Sequence, residues 1–271
     1  MRVIVVDGSG PIGLWTVERL RARGCDAVLE AAGPAGNTAY AEPWSVALAG
    51  AQAVVDVSGL PSCEAGVLSE DTGLRIDEAV VARQLCRTTA DLITAGASAG
   101  VRHHIALSMV GADQLSDSPF FRALHRRDGF IERSGIPYSL ISTTQPYESV
   151  NDLADASTED WVVWVPPVRA RPVAGAEVAS FLADVASSAP LLSAREIAGP
   201  EQIRLDSFVS AALTRPSEYR RVYGDADSPY FGARLTDDCL LPSPEARIAR
   251  VRYHEWLAAR GDGQLPGRLL P

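Results

Sequence analysis

Residues 2–23 read RVIVVDGSGPIGLWTVERLRAR. The run at 2–6 is short and apolar, as in a parallel strand that is covered on both faces. Residues 7–13 are rich in glycine, and residues 14–23 carry apolar side chains at helical spacing. Strand, glycine turn and helix follow one another in the order of a dinucleotide-binding βαβ unit, which predicts both a fold and a ligand.

The same alternation continues along the first half of the chain and predicts a Rossmann-type α/β fold. Apolar runs predict further strands at 27–29, 53–57, 104–108 and 138–142. Helical spacing predicts long helices at 76–98 and 120–133. Such alternation is typical of a doubly wound parallel sheet with right-handed crossovers. We therefore expect a dinucleotide-binding core at 1–150 and a small C-terminal substrate lobe at 151–271, within one continuous domain.

The later part of the chain departs from this regular alternation. Short strands are predicted at 161–165 and 194–198, and helices at 173–186, 205–213 and 251–259. These elements fit a lobe that closes over a ligand. The tryptophans at 161 and 164 are expected to pack inside this lobe, although they would also suit a flat aromatic substrate.

Composition excludes several classes of function. The net charge is −9 and the chain has no long basic run, so we expect no nucleic-acid partner. It has no stretch of about eighteen apolar residues and no secretory signal pattern, so we expect a cytoplasmic protein without a membrane span. The four cysteines lack metal-ligand spacing, and no metal site is predicted. Hydrophobic residues make up 46% of the chain, enough for a full core.

The glycine turn is the strongest candidate for cofactor binding. Its glycines match G-x-G-x-x-G between a clear strand and a clear helix, a context in which the motif is specific. The predicted cofactor-binding residues of the turn are Gly8, Ser9, Gly10, Pro11, Ile12 and Gly13. Asp7 opposes this prediction if its carboxylate faces the phosphates, and it is harmless if it caps the helix or turns away.

The end of the second strand bears on the choice of cofactor. Glu30 lies about where an acidic residue would bind the adenosine ribose hydroxyls, with a solvent-facing strand end as the alternative. No arginine follows at 31–36 to bind a 2′-phosphate. The sequence therefore favours NAD slightly over NADP.

Several further motifs carry a resemblance to a known family. They are the turn at 7–13, VVDVS at 54–58, VRHHIALS at 101–108, SGIPY at 134–138, TQPY at 144–147, AGPE at 198–201 and YFGA at 230–233. Together they resemble the NmrA-like members of the atypical short-chain dehydrogenases/reductases, over most of the chain. The resemblance implies NAD or NADP in the cleft and a substrate beneath the C-terminal lobe.

The resemblance also implies positions for the remaining site residues. Ser108 ends the fourth strand near the expected nicotinamide, with a capping hydroxyl as the alternative. The other residues implied to line the cofactor cleft follow the third and fifth strands and are Val57, Ser58, Gly59, Thr144 and Gln145. Thr144 and Gln145 would contact either the ligand or only the backbone.

The usual catalytic pair of short-chain reductases is absent from this sequence. Those enzymes use Tyr-x-x-x-Lys, in which the tyrosine protonates the carbonyl oxygen. Alignment on the family places Phe120 at the tyrosine position and Leu124 at the lysine position. The chain contains no lysine at all, so no nearby lysine replaces it.

Three side chains are candidates to replace the lost pair. Ser108 offers a hydroxyl, and Tyr147 offers a phenol proton, although a packing role in the lobe suits Tyr147 better. His125 offers an imidazole, but it lies about 100° around the helix from Leu124. A solvated helix face therefore suits His125 better. The arginines expected on that same solvated face are Arg122, Arg126 and Arg127.

The sequence leaves three functions open. The first is an NAD(P)-dependent reductase with a divergent site, acting on a quinone-like, enone or aromatic small molecule. The second is a non-redox enzyme, such as an isomerase, cyclase or coupling enzyme, acting on an aromatic polyketide-like substrate. The third is an inactive protein that senses the cofactor or binds a partner. The long helices at 76–98 and 120–133 are candidate interface elements of a homodimer.

Overall fold

The computed structural model describes residues 1–7, 10–31, 43–59, 78–214 and 218–261. Its strands are β1 (Arg2–Asp7), β2 (Asp26–Ala31), β3 (Ala53–Asp56), β4 (His103–Met109), β5 (Tyr138–Thr143), β6 (Thr158–Glu159), β7 (Val162–Val165), β8 (Arg169–Ala170), β9 (Ala194–Ala198), β10 (Ile203–Arg204), β11 (Arg221–Gly224) and β12 (Arg247–Ile248). Its helices are α1 (Pro11–Ala22), α2 (Trp44–Ala47), α3 (Glu78–Ala99), α4 (Pro119–Glu132), α5 (Val150–Ala156), α6 (Gly175–Ala186), α7 (Leu205–Ala212) and α8 (Tyr253–Gly261).

Seven parallel strands form the central sheet, in the order β12-β9-β5-β4-β3-β1-β2. The chain runs outward from β1 in both directions, to β2 on one side and to β3 on the other. This arrangement confirms the predicted Rossmann-type, doubly wound α/β fold. The carboxyl ends of the strands form one edge, which is where such sheets bind ligands.

Buried side chains on both faces explain why the strands read as continuous apolar runs. Val3 and Val5 pack with α1 and α6 on one face. Ile4 and Val54 pack with α3 on the opposite face, where α4 also covers Ala106. Because successive strand residues point to opposite faces, a strand covered twice cannot alternate between apolar and polar residues.

Residues on both sides of position 150 build the central sheet. β9 pairs with β5, and β12 pairs with β9, while α6 packs beside α1. The remaining elements form a cap in which β8 pairs with β10, and β7 lies between β6 and β11. Within the described ranges, no helix is long and apolar enough to cross a membrane.

Candidate functional site

In the turn between β1 and α1, the structure describes Gly10, which lies at the carboxyl edge of the sheet. Gly8, Ser9 and the side chain of Asp7 lie outside the described part of the chain. Gly10 has φ 97° and ψ 173°, a combination that is essentially restricted to glycine. A Cβ built on Gly10 would have nothing within 4 Å. The backbone therefore faces open space at this position, as the close approach of a ligand requires.

The first turn of α1 is open to an anion. Pro11 occupies its first position, where a missing N–H costs nothing, and Ile12 and Gly13 follow and are buried. Among the described residues, no side chain caps this end of the helix and no acidic residue lies in its first turn. Free amide groups and the helix dipole together favour a phosphate here.

The ends of β2 and β3 lie beside this turn. Glu30 is level with Val6 on β1 and is partly buried, and its side chain has no hydrogen bond or ion pair with another described residue. Val57 donates its N–H to the Val6 oxygen at 2.8 Å. Ser58 donates both its N–H, at 3.0 Å, and its hydroxyl, at 2.5 Å, to Asp56 Oδ1. The predicted residues of these two strands thus lie at one edge.

Gly59 lies against a charged side chain that the sequence analysis assigned to the surface. A Cβ on Gly59 would lie 2.1 Å from Arg127 Nη1 and 2.5 Å from the Leu107 oxygen, so only glycine fits. Arg127 is fully buried, whereas we had expected it on a solvated helix face. Its guanidinium donates from Nη2 to the Leu107 oxygen at 2.8 Å. The expectation for Arg127 was therefore wrong.

Arg127 is paired with its neighbour on α4, and the pair holds Ser108. The Asp128 Oδ1 atom accepts from Arg127 Nη2 at 2.8 Å and from Nε at 3.1 Å, while Asp128 Oδ2 accepts from the Ser108 hydroxyl at 2.5 Å. Burial lowers the pKa of Arg127, but the Asp128 and Asp56 carboxylates outweigh it and raise that pKa overall. The guanidinium is therefore charged inside the protein.

A cleft of about 810 Å³ lies beside α4 and contains two of the predicted catalytic residues. Ser108 and Asp128 line it with His125, which is exposed. Its other charged lining residues are Arg126, Arg133, Arg195, Asp113, Glu132, Glu196 and Glu245. The cleft therefore offers both signs of charge and suits a polar molecule better than an apolar one.

Tyr147 is held inside the cap and does not line this cleft. Its ring packs against Phe208, Tyr253 and Trp256, with centroids 5.0 to 6.4 Å away. Its hydroxyl donates to the Val251 oxygen at 3.0 Å. Burial, helped by nearby glutamates, raises the pKa of Tyr147 far above its ordinary value. The structure therefore supports the packing role of Tyr147 and not the release of its proton.

Replacing Tyr147 with phenylalanine should lower the free energy of unfolding by about 1 kcal/mol, because the Val251 carbonyl loses its donor. Any reductase activity should be unchanged. Urea denaturation and steady-state rates measure the two quantities. Tyr223→Phe, at an exposed tyrosine, is the control and should change neither. A folded Tyr147→Phe protein without activity would return Tyr147 to the catalytic candidates.

Thr144 and Gln145 use their side chains within the protein. The Thr144 hydroxyl donates to the Arg171 oxygen at 2.6 Å, and Gln145 Nε2 donates to the Tyr230 hydroxyl at 3.3 Å. Both residues are buried. Gln145 Oε1 is buried and has no hydrogen-bond partner in the described part of the chain.

The two positions of the absent catalytic pair lie in apolar surroundings. Phe120 contacts Phe121 edge-on, with centroids 5.3 Å apart, and its ring lies 6.2 Å from that of Phe231. Leu124 is fully buried in the same cluster. Tyr230 stacks on Phe121. Neither Phe120 nor Leu124 can donate a proton, so chemistry here cannot depend on a proton from either position.

The signal for Arg127 is present in the sequence. Phe120, Leu124, Arg127 and Ile131 recur at helical spacing, which places the arginine on the apolar stripe of α4. All four are buried. A charged residue on such a stripe must find a partner, and Asp128, the next residue, is that partner. Arg127 and Asp128 are the site residues that the sequence analysis missed.

Comparison with known proteins identifies the fold. No protein-family model matches the chain, and no curated protein sequence matches it either. MoeE5, solved with UDP-glucose and NAD, is 16% identical, with 95% of this chain and 96% of that chain covered and a TM-score of 0.68. An NADPH-dependent quinone oxidoreductase of Escherichia coli is also 16% identical, with 96% and 99% covered and a TM-score of 0.60.

A third solved structure is also similar to this chain. The Citrobacter sp. triphenylmethane reductase, complexed with NADP(H), is 16% identical, with 83% of this chain and 79% of that chain covered and a TM-score of 0.55. These three proteins share the Rossmann-type fold with this chain.

Proposed function

We propose that the chain is an atypical NAD(P)-dependent reductase whose active site lacks the tyrosine–lysine pair. The observation that carries this proposal is the open N-terminus of α1 at the carboxyl edge of the sheet, with Gly10 in a glycine-only conformation. That geometry suits the diphosphate of a dinucleotide. The resemblance of the motifs and the cofactors named for the solved neighbours support the same conclusion.

The chain offers the groups that such a cofactor needs. The N–H groups of Gly10, Ile12 and Gly13 would hold the diphosphate, and the Glu30 carboxylate would accept hydrogen bonds from the ribose hydroxyls. The backbone at 57–59 would line the adenosine side of the cleft. Because a carboxylate repels a 2′-phosphate, Glu30 favours NAD over NADP. When bound, a reduced nicotinamide supplies a hydride.

The apolar surroundings of Phe120 favour a particular class of acceptor. A simple ketone needs a proton donor as its oxygen becomes negative, and neither Phe120 nor Leu124 provides one. A quinone that receives a hydride becomes a hydroquinone monoanion, which then takes up a single proton from water. Phe231, which is only partly buried against this apolar cluster, is the ring that would contact such a flat acceptor. We therefore propose a quinone-like or enone substrate.

Ser108 and His125 keep roles on the side of the charged cleft. The Ser108 hydroxyl donates a hydrogen bond to Asp128, and the His125 imidazole is exposed to water at the rim of the cleft. In this proposal they contribute to the return of a proton after hydride transfer. They do not contact the hydride itself.

Fluorescence titration with NADH and NADPH, followed by turnover of a quinone, tests the proposed function. Binding with turnover is the expected result. Binding without turnover of quinones, enones or aromatic dyes would favour a cofactor sensor and overturn the reductase. Failure to bind either cofactor, with binding of a polycyclic aromatic, would favour the non-redox enzyme.

Replacing Gly10 with alanine should weaken cofactor binding by about tenfold, since a Cβ would enter space that the ligand needs. Gly24→Ala is the matched control, because Gly24 also has a positive φ of 77°, has nothing within 4 Å and lies at the other end of α1. It should leave affinity within about twofold. Equal losses in the two variants would show that backbone strain alone, and not the ligand site, is responsible.

A further inference from the structure

Three buried polar atoms beside β3 and β4 have no hydrogen-bond partner within the described ranges. They are Arg127 Nη1, Asp56 Oδ2 and His104 Nε2. All three side chains are almost completely buried. A buried polar atom without a partner costs about 1–3 kcal/mol, so three together call for a common explanation.

The strand register places these atoms on one face of the sheet. In the β3–β4 pair, Val54 is level with His104, and Asp56 is level with Ala106. Val54 and Ala106 point toward the face that α3 and α4 cover, and the two-residue period of a strand places Asp56 and His104 there too. The Arg127 side chain extends from α4 onto the same face and donates a hydrogen bond to the Leu107 oxygen.

The three groups also interact electrostatically. The Asp56 carboxylate acts to raise the pKa of both His104 and Arg127. Burial outweighs this effect at His104 and lowers its pKa, so the ring is neutral. The cluster therefore presents a donor at Arg127, an acceptor at Asp56 and, in one tautomer, an acceptor at His104.

We propose that a single buried water joins Arg127, Asp56 and His104, and that this hydrated cluster positions the cofactor edge of the sheet. The water accepts a hydrogen bond from Arg127 Nη1 and donates to Asp56 Oδ2 and to His104 Nε2. This satisfies all three atoms, and three bonds is the usual number for a buried water.

Asp56 and Arg127 connect this cluster to the carboxyl edge of the sheet. Asp56 Oδ1 holds the N–H and the hydroxyl of Ser58, and Arg127 Nη1 lies against Gly59. A shift of the carboxylate or the guanidinium would therefore move the backbone at 57–59. Arg127, Asp56 and His104 are positioning residues in this inference, which rests on the proposed function because it assumes that this edge binds the cofactor.

A crystal structure at high resolution tests the water directly. The expected result is one ordered water within about 3.2 Å of Arg127 Nη1, Asp56 Oδ2 and His104 Nε2. Direct bonds among the three side chains, or a water that contacts only one of them, would overturn the proposal. This test does not depend on cofactor binding.

A pair of variants tests the positioning role. His104→Asn removes one acceptor of the water, and His103→Asn is the matched control, because His103 is also buried but bonds Ser139 at 2.8 Å on the opposite face. Melting temperatures measure the loss of stability in each, and titration measures the NADH dissociation constant. We expect His104→Asn to weaken NADH binding by about tenfold and His103→Asn by less than about twofold.

The outcomes separate the two proposals. Equal weakening in both variants, or none in His104→Asn, would overturn the positioning role while leaving the proposed function intact. A wild-type protein that binds neither NADH nor NADPH would overturn the proposed function and the positioning role together, and the crystal structure would then decide the water alone.

Discussion

Replacing Arg127 with alanine is expected to lower the free energy of unfolding by about 4 kcal/mol. The guanidinium is fully buried and is the cation beside both Asp128 and Asp56. Its removal leaves the buried Asp56 carboxylate and the partly buried Asp128 carboxylate without a counter-charge, and the Leu107 carbonyl without its donor. Removing one partner of a buried ion pair costs much more free energy than the intact pair contributes, because the remaining charge stays out of water. Urea denaturation at neutral pH measures the loss.

The neighbouring arginine on α4 provides the control. Arg126 is exposed, and its guanidinium lies over the Phe130 ring at 5.4 Å from the centroid. Arg126→Ala should change the free energy of unfolding by no more than about 1 kcal/mol, as an exposed cation–π contact is weak. A loss below about 1 kcal/mol in Arg127→Ala would contradict the charged, paired state of Arg127 described above.

The sheet was predictable because its signal is local. The apolar run at the start of β1 is buried on both faces, and the same holds for β3 and β4. A short run of consecutive apolar residues is typical of a parallel strand that is covered on both faces, so the sequence of such a run is compatible with few other structures. Glycines between strand and helix completed the prediction, since Gly10 adopts a conformation that other residues rarely reach.

The site was predictable only where the topology alone brings residues together. Gly10, Glu30 and Val57 share an edge because parallel strands end at the same side of a sheet. The environment of Tyr147 depends on Phe208 and Trp256, which are distant in sequence, and no local spacing reveals such contacts. The surface prediction for Arg127 was wrong because the place of this residue on the apolar stripe of α4 outweighs the general tendency of arginine to be exposed.

Two environments meet along α4, and they bear on different parts of the proposed reaction. Phe120 and Leu124, near the start of the helix, face an apolar cluster. His125 and Asp128 face a cleft with charges of both signs. Hydride transfer to a flat acceptor suits the apolar side, where water is excluded. Exchange of protons with water suits the charged side. The hydrogen bond from Ser108 to Asp128 lies at the boundary of that charged side.

Glu148 anchors the cap to the core, and its replacement by alanine should lower the free energy of unfolding by about 3 kcal/mol. Its Oε2 accepts the Gly175 N–H at 2.9 Å at the start of α6, and its Oε1 accepts the Trp256 Nε1–H at 3.1 Å from α8. Alanine leaves both donors unpaired where water hardly reaches. Glu18→Ala, at an exposed position of α1, is the control and should change stability by no more than about 0.5 kcal/mol.

The stabilising effect of Glu148 should also depend on pH, and its sign follows from the pKa. Burial raises the pKa of Glu148 above its ordinary value of 4.5, so the folded protein holds this proton more tightly than the unfolded chain. Stability from this group is therefore complete below pH 4.5 and is lost as pH rises through the folded pKa. The measurement is the difference in free energy of unfolding between wild type and Glu148→Ala, determined in urea from pH 4 to pH 8. The contributions of the other acidic groups are the same in both proteins and cancel in this difference. That difference should shrink as pH rises, and growth instead would mean that Glu148 is a stabilised carboxylate.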